Sequence, residues 1–238
     1  MRRPTILVTR PAPDGAATAK ALAKATGLSV VESPLLEIAT TGPLPDLDGI
    51  RQLIFTSRNG VRAYTALGGP DLPAICIGDA TAEAAQEAGL TARAIGGDAE
   101  ALVAALIQDR PEAPILHLRG EAARGEIAER LTAAGIATRE AVIYRQTPLD
   151  LTEDARALLS DRRPVILPLY SPRTAARLAE IAQPRAPLHL VAMSTAIARA
   201  AAPLGAEKKI IADTPDATAM IRAVLATLRR VEGMGSPH

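Results

Sequence analysis

The same succession of short segments occurs twice along this 238-residue chain. Ile6-Leu7-Val8-Thr9-Arg10 matches Ile115-Leu116-His117-Leu118-Arg119. An Ala-rich helix, a Gly stop (Gly27, Gly135) and an over-long extended segment follow each of them. Phe55-Thr56-Ser57 matches Leu169-Tyr170-Ser171, and Ile77-Gly78 with Thr81 matches Met193-Ser194 with Ile197. Gly89 and Gly205 end the helices after them, and Asp98 to Leu106 matches Asp216 to Leu225. A chain that repeats its elements in one order must build two units of one kind.

What those units are follows from the segments themselves. Ile54-Phe55-Thr56-Ser57-Arg58-Asn59-Gly60-Val61 reads as a buried strand running through a turn into a helix. Ser57 is a natural N-cap, since its hydroxyl can accept from an orphan amide of the first turn. Gly60 lets the backbone come close to whatever sits above it. In Val165-Ile166-Leu167-Pro168-Leu169-Tyr170-Ser171-Pro172 the Ser is followed by Pro at the first helical position, where no N–H is needed. Short apolar strands alternating with helices predict α/β units with parallel sheets, of flavodoxin- or Rossmann-like type. The extended stretch from Ser29 to Thr40 contains Pro34, which suits an edge strand or a connector. Val231 to His238 reads as a frayed tail.

Composition removes several functions. Hydrophobic residues make up 48%, enough for two cores, but aromatics only 2%, so packing rests on Ala, Leu, Ile and Val. A formal charge of +1 argues against nucleic-acid or membrane binding by bulk charge. Cys76 is the single cysteine, in the apolar run Ala74-Ile75-Cys76-Ile77, and reads as a buried strand residue. The run Ile6-Leu7-Val8 after Arg2 and Arg3 is too short for a signal-peptide core, and no stretch approaches a membrane span. The expectation is a soluble cytoplasmic protein.

No phosphate-binding P-loop, G-x-G-x-x-G or G-x-S-x-G pattern is present. His117, His189 and His238 form no ligand cluster, and the first two are expected to be hydrogen-bonded structural residues within strands. What remains is a set at strand exits: Arg10, Ser57, Arg58, Asn59, Gly78, Thr81, Arg119, Gly120, Ser171 and Ser194. Amides, hydroxyls and guanidinium groups suit carboxylates or phosphates. Singly, each is at least as well read as a cap or turn residue. As a set on a duplicated scaffold they point to an anionic ligand beyond the carboxyl ends of the strands, in a cleft between two units.

These residues carry a resemblance. Ile6-Leu7-Val8-Thr9-Arg10-Pro11, Phe55-Thr56-Ser57-Arg58-Asn59-Gly60-Val61, Ile77-Gly78-Asp79-Ala80-Thr81-Ala82, Leu118-Arg119-Gly120, Val142-Ile143-Tyr144 and Tyr170-Ser171-Pro172 together resemble the uroporphyrinogen-III synthase family over nearly the whole length. The resemblance implies two α/β domains joined by a two-stranded linker. The first would be residues 1–36 with 149–230 and the second 41–138, with linker strands at 37–40 and 139–148 and a disordered tail at 231–238. It implies cyclisation of the linear tetrapyrrole hydroxymethylbilane to uroporphyrinogen III, inverting the last ring through a spiro intermediate, with no metal or cofactor. Without enzyme, closure gives the uninverted isomer, so holding the substrate in one folded geometry is the main catalytic task. Tyr144 is implied as general acid for the departing hydroxyl, and a linker Tyr packing between domains is an equal reading. Ile197 stands where many relatives have Thr, as this chain does at Thr81. A monomer, with transient contact to the preceding pathway enzyme, is the expected state.

Two other classes fit the same residues. One is a non-catalytic two-domain protein that binds an anionic small molecule. The other is an enzyme acting on a phosphorylated substrate at the same exits. A receiver-type signalling domain needs an acidic cluster at strand ends, where this chain has Thr9-Arg10.

Overall fold

The structure is a computed structural model and describes residues 3–122 and 126–233. The chain divides into two units. One is formed by the described residues up to Glu37 and from Pro148 onward, the other by Ile38–Thr147.

The strands are β1 (Thr5–Val8), β2 (Val30–Glu32), β3 (Leu36–Thr40), β4 (Gln52–Phe55), β5 (Ala74–Ile77), β6 (Ala92–Ile95), β7 (Ile115–Gly120), β8 (Thr138–Pro148), β9 (Val165–Leu169), β10 (Leu188–Ala192) and β11 (Lys208–Ile211). The helices are α1 (Asp14–Thr26), α2 (Arg58–Ala66), α3 (Asp79–Glu87), α4 (Ala99–Asp109), α5 (Ile127–Ala133), α6 (Glu153–Ser160), α7 (Pro172–Ile181), α8 (Thr195–Ala200) and α9 (Ala217–Gly233).

The first unit has the sheet β11-β10-β9-β1-β2, all parallel. The second has β3-β8-β7-β4-β5-β6, in which β8 through β6 are parallel. Read from the far edge, β6-β5-β4-β7-β8 repeats the order of β11-β10-β9-β1-β2. The repeated sequence segments therefore occupy equivalent strands. In both sheets the order reverses between two central strands, β1 and β9 in one unit, β7 and β4 in the other.

Alternation along the strands feeds one core on each sheet face. Leu7, Val165, Leu167, Leu169 and Leu190 meet α6, α7 and α8 on one face of the first unit. Ile6, Val8, Ile166 and Val191 meet Leu22, Met220 and Val224 of α1 and α9 on the other. In the second unit Leu53, Phe55, Cys76, Leu116 and Leu118 pack on Val61, Tyr64 and Ala85 of α2 and α3. Ile54, Ile75 and Ile115 pack on Leu102, Leu106, Ile127 and Leu131 of α4 and α5. Strands buried on both faces account for apolar runs without polar alternation.

Local chemistry sets the ends. Ser57, Ser171 and Ser194 each have extended backbone and accept from an amide of the first turn, as does Thr152 before α6. Gly27 closes α1 at φ 65° in the left-handed region, donating to Ala23 O.

Pro34 has the effect expected of it. The extended segment breaks there into β2, which joins β1, and β3, which lies beside β8. The Thr41 amide donates to Ile143 O, and the Leu149 amide to Leu35 O, both at 2.9 Å. Partners thus move in opposite directions along the two segments. β8, expected as a linker strand, pairs with β7 from Thr138 to Tyr144 and so belongs to the sheet of the second unit. At the other end, α9 runs on to Gly233, past the expected stop at Arg230, because Val231 is still buried against the core. Residues 234–238 of the expected tail lie outside the described residues. Among the described residues no helix is long and apolar enough to cross a membrane.

Candidate active site

The strand exits fall into two groups, one in each unit. In the first unit β1, β9 and β10 are neighbours, so Arg10, Ser171 and Ser194 follow three adjacent strands at the same sheet end. In the second, β7, β4 and β5 are neighbours, which brings Arg119 and Gly120, then Ser57 to Gly60, then Gly78 to Thr81, to one end. Open parallel sheets take ligands there, at the point where strand order reverses.

At that point in the first unit, the β1–β9 ladder stops at Ile6 and Ile166. Pro168 lies two residues on, and its ring nitrogen cannot donate to a ladder. Beyond the ladder, the Arg10 guanidinium lies 4.3 Å from the centroid of the Tyr170 ring. Its Nη1 donates to Thr18 Oγ1 at 3.0 Å and its Nη2 to Asp14 Oδ2 at 3.1 Å. Burial raises the Tyr170 phenol, with the nearby Arg10 charge acting the other way. Ser171 Oγ accepts from the Thr174 amide at 3.3 Å and Ser194 Oγ from the Ile197 amide at 3.4 Å. Ile197 is 3% exposed and sits in the core, so this copy offers no hydroxyl where the other has Thr81.

The reversal point of the second unit is built around Tyr144. Gly120 on β7 is its register partner, and a Cβ on Gly120 would lie 2.6 Å from the ring. A Cβ on Gly60 would lie 3.8 Å from Tyr144 Cε1 and 3.2 Å from Leu118 O. The ring is therefore seated against two glycines, one from each of the central strand exits, and is 6% exposed. Ser57 Oγ accepts from the Asn59 amide at 3.2 Å, and Asn59 Oδ1 accepts from Arg62 at 3.3 Å. Arg58 is half-buried in the first turn of α2. Gly78 takes φ 74° before α3, a conformation that favours glycine, and Thr81 is buried in that helix's first turn.

Arg119 is held within its own unit. Nη2 donates to Glu140 Oε1 at 2.6 Å, and Nη1 to the carbonyls of Gly120 and Glu121 at 3.1 and 3.5 Å. The hydrogen bond from Arg119 keeps the Glu140 carboxyl below its ordinary range. Sequence reading did not single out Glu140. The pairing of β8 with β7, which sets Glu140 beside His117, is what brings it within reach.

The histidines correct an expectation. His117 is buried, yet neither ring nitrogen has a hydrogen-bond partner, and His189 Nδ1 has none either. Desolvation pushes His117 down to about 4, with Glu140 opposing and Arg119 adding to the shift. The His117 ring serves as a neutral packing group, and burial pushes the His189 ring down as well. Among the described residues no three of His, Cys, Asp and Glu gather to hold a metal ion.

A family model described as uroporphyrinogen-III synthase HemD matches residues 17–222. The chain belongs to the uroporphyrinogen-III synthase family. The reaction of that family is the cyclisation of hydroxymethylbilane to uroporphyrinogen III. The fold is that of solved uroporphyrinogen-III synthases. The Helicobacter pylori structure is 19% identical with a TM-score of 0.68, covering 94% of this chain and 99% of that one. A mutant from the extremely thermophilic bacterium Thermus thermophilus is 16% identical with a TM-score of 0.56, covering 96% and 100%. No curated protein sequence matches the chain. Two surface concavities of the first unit, one lined by Arg3, Ser29 and Arg163, the other by Arg156, Leu159 and Arg185, hold none of the strand-exit residues.

Proposed function

We propose that this uroporphyrinogen-III synthase closes its substrate by holding acetate and propionate groups at the strand exits while Tyr144 assists departure of the hydroxyl. The observation that carries the reading is the seat of Tyr144, against Gly60 and Gly120 where the strand order of the second unit reverses. In the departure step the C–O bond breaks with its electron pair going to oxygen. The pyrrole nitrogen supplies electron density to the carbon left behind, and the phenol proton makes the leaving group water. The carbon then bonds to the last ring at its substituted position to give the spiro intermediate; the bond from that position to its original methylene bridge breaks, and the methylene rebonds at the ring's free α carbon, inverting the ring. The proton lost when the rings regain aromaticity balances the one donated.

Because the substrate closes unaided to the uninverted isomer, most of the enzyme's work is positional, an entropy-trap role. Arg10, Ser57, Arg58, Asn59, Gly78, Thr81, Arg119, Ser171 and Ser194 are the groups proposed to hold the substrate, with no metal or cofactor. We take the protein to act as a cytoplasmic monomer that receives hydroxymethylbilane in brief contact with the enzyme that makes it. Incubation with hydroxymethylbilane, followed by oxidation and separation of porphyrin isomers, tests the reading. Isomer III in excess is expected, and the isomer I pattern of a protein-free control overturns it.

A further inference from the structure

We infer that Tyr170 is a positioning residue for the reaction, its ring fixing the plane in which Arg10 meets a carboxylate of the substrate. The inference rests on the reading of Arg10 as a carboxylate contact. Arg10 leaves β1 and Tyr170 leaves β9, the two strands between which the order of the first sheet reverses. The guanidinium lies 4.3 Å from the ring centroid, and Thr18 and Asp14 hold its two terminal nitrogens at 3.0 and 3.1 Å. A planar fork held on one face and at two corners has its orientation fixed before a ligand arrives.

These holding groups differ in kind. Asp14 offsets part of the Arg10 charge, which works against binding of a second carboxylate. An aromatic face attracts a guanidinium through its quadrupole without neutralising it. Tyr170 therefore supplies orientation at no loss of charge, which Asp14 cannot do. The duplicated unit makes the contrast plain. The residue equivalent to Tyr170 is Thr56, and the equivalent of Arg10 is Arg119, which is held by Glu140 and two carbonyls, with no ring stacked on it among the described residues. Among the described residues the stacked pair occurs in one half of the duplicated scaffold, so it is not inherited from the shared fold.

The test is a double-mutant cycle read as KM and kcat for hydroxymethylbilane. Tyr170→Leu is expected to raise KM roughly 2- to 30-fold, the range for loss of one cation–π contact, with kcat held within about twofold. Tyr170→Phe keeps the ring and is expected to hold KM within about threefold of the parent. In an Arg10→Ala background, Tyr170→Leu should raise KM no further. Multiplying effects of the two substitutions, or a Phe variant as impaired as the Leu variant, overturns the positioning role. An Arg10→Ala protein with unchanged KM overturns instead the carboxylate reading of Arg10 on which it rests. Urea unfolding is run on each variant, and Tyr170→Met replaces Tyr170→Leu if the latter does not fold.

Discussion

Gly120 and Tyr144 are register partners on neighbouring parallel strands, and the Tyr144 ring fills the place where a side chain on Gly120 would begin. A Cβ there would lie 2.6 Å from Cε2 and Cζ and 2.9 Å from Oη. No φ in the left-handed region is involved at Gly120, so the need for glycine there is one of space. The same ring has Gly60 on another side. Two glycines that a sequence reader assigns to substrate approach thus have a second task, that of making a seat for the phenol.

Gly120→Ala is expected to push the Tyr144 ring out of that seat. Overpacking of this kind costs about 1–3 kcal/mol, and urea unfolding should report it. Turnover should fall further than stability, because the phenol moves relative to the reacting carbon. Gly60→Ala is expected to be milder, since its nearest neighbours would be Leu118 O at 3.2 Å and Phe55 Cδ1 at 3.3 Å. Equal turnover in Gly120→Ala and the parent would remove the link between the seat and catalysis.

Ser171 is a cap in the structure, accepting from the Thr174 amide, and is proposed to meet a substrate carboxylate as well. Two substitutions separate the roles. Ser171→Ala should lower stability by about 1 kcal/mol through loss of the cap. Ser171→Asp caps as well as Ser but sets a negative charge at the strand exit. It should unfold at the parent's urea midpoint while KM for hydroxymethylbilane rises several-fold. An Asp variant with unchanged KM would reduce Ser171 to a cap.

Most of the scaffold was legible because its signals are local. Ser57, Ser171 and Ser194 cap the helices they were expected to start, and Pro34 breaks the extended segment it sits in. The less legible features depend on which strands become neighbours. Tyr170 meets Arg10, and Glu140 meets Arg119, across strands far apart in sequence. Periodicity says that a strand exists and is silent on which strand lies beside it. The repeat held part of the answer, since it fixes equivalent strands in both units. His117 departs from expectation for another reason. Polar residues in strands are usually bonded, yet the neighbours of His117 offer its ring no acceptor or donor.

That burial gives the protein a pH dependence. His117 is held near 4 when folded, below its ordinary 6.5, so the unfolded chain binds a proton more readily between those values. Stability from keeping the ring neutral is complete above about pH 6.5 and is lost as pH falls toward 4. The groups acting on it are Glu140, which opposes the shift, and Arg119, which adds to it. The hydrogen bond from Arg119 holds the Glu140 carboxyl below its ordinary value. A shift of this size corresponds to roughly 3 kcal/mol over the window. His117→Leu is expected to flatten the stability profile between pH 6.5 and 4 in urea titrations. A variant as acid-sensitive as the parent there would assign the loss to another group.

The last expectation concerns the Tyr144 proton. The ring is 6% exposed and packs in the core of its unit, so its aromatic body has a structural task whatever the hydroxyl does. Tyr144→Phe keeps that body and removes only the acid. If a hydrogen bond of the hydroxyl is lost with it, stability changes by about 0.5–1.5 kcal/mol, within reach of urea unfolding. The phenol is a weak acid, but an electron-rich pyrrole already assists departure of the hydroxyl, so a modest push suffices. Turnover should fall roughly ten- to a thousand-fold, overlapping the lower part of the usual worth of one general acid because only a modest push is needed. Isomer III should still dominate the product, because folding of the substrate is assigned to the strand exits and not to this proton. Near-normal turnover in a folded Tyr144→Phe protein would leave Tyr144 a packing residue. A switch to isomer I would show instead that the hydroxyl shapes the bound chain, moving Tyr144 from acid to template.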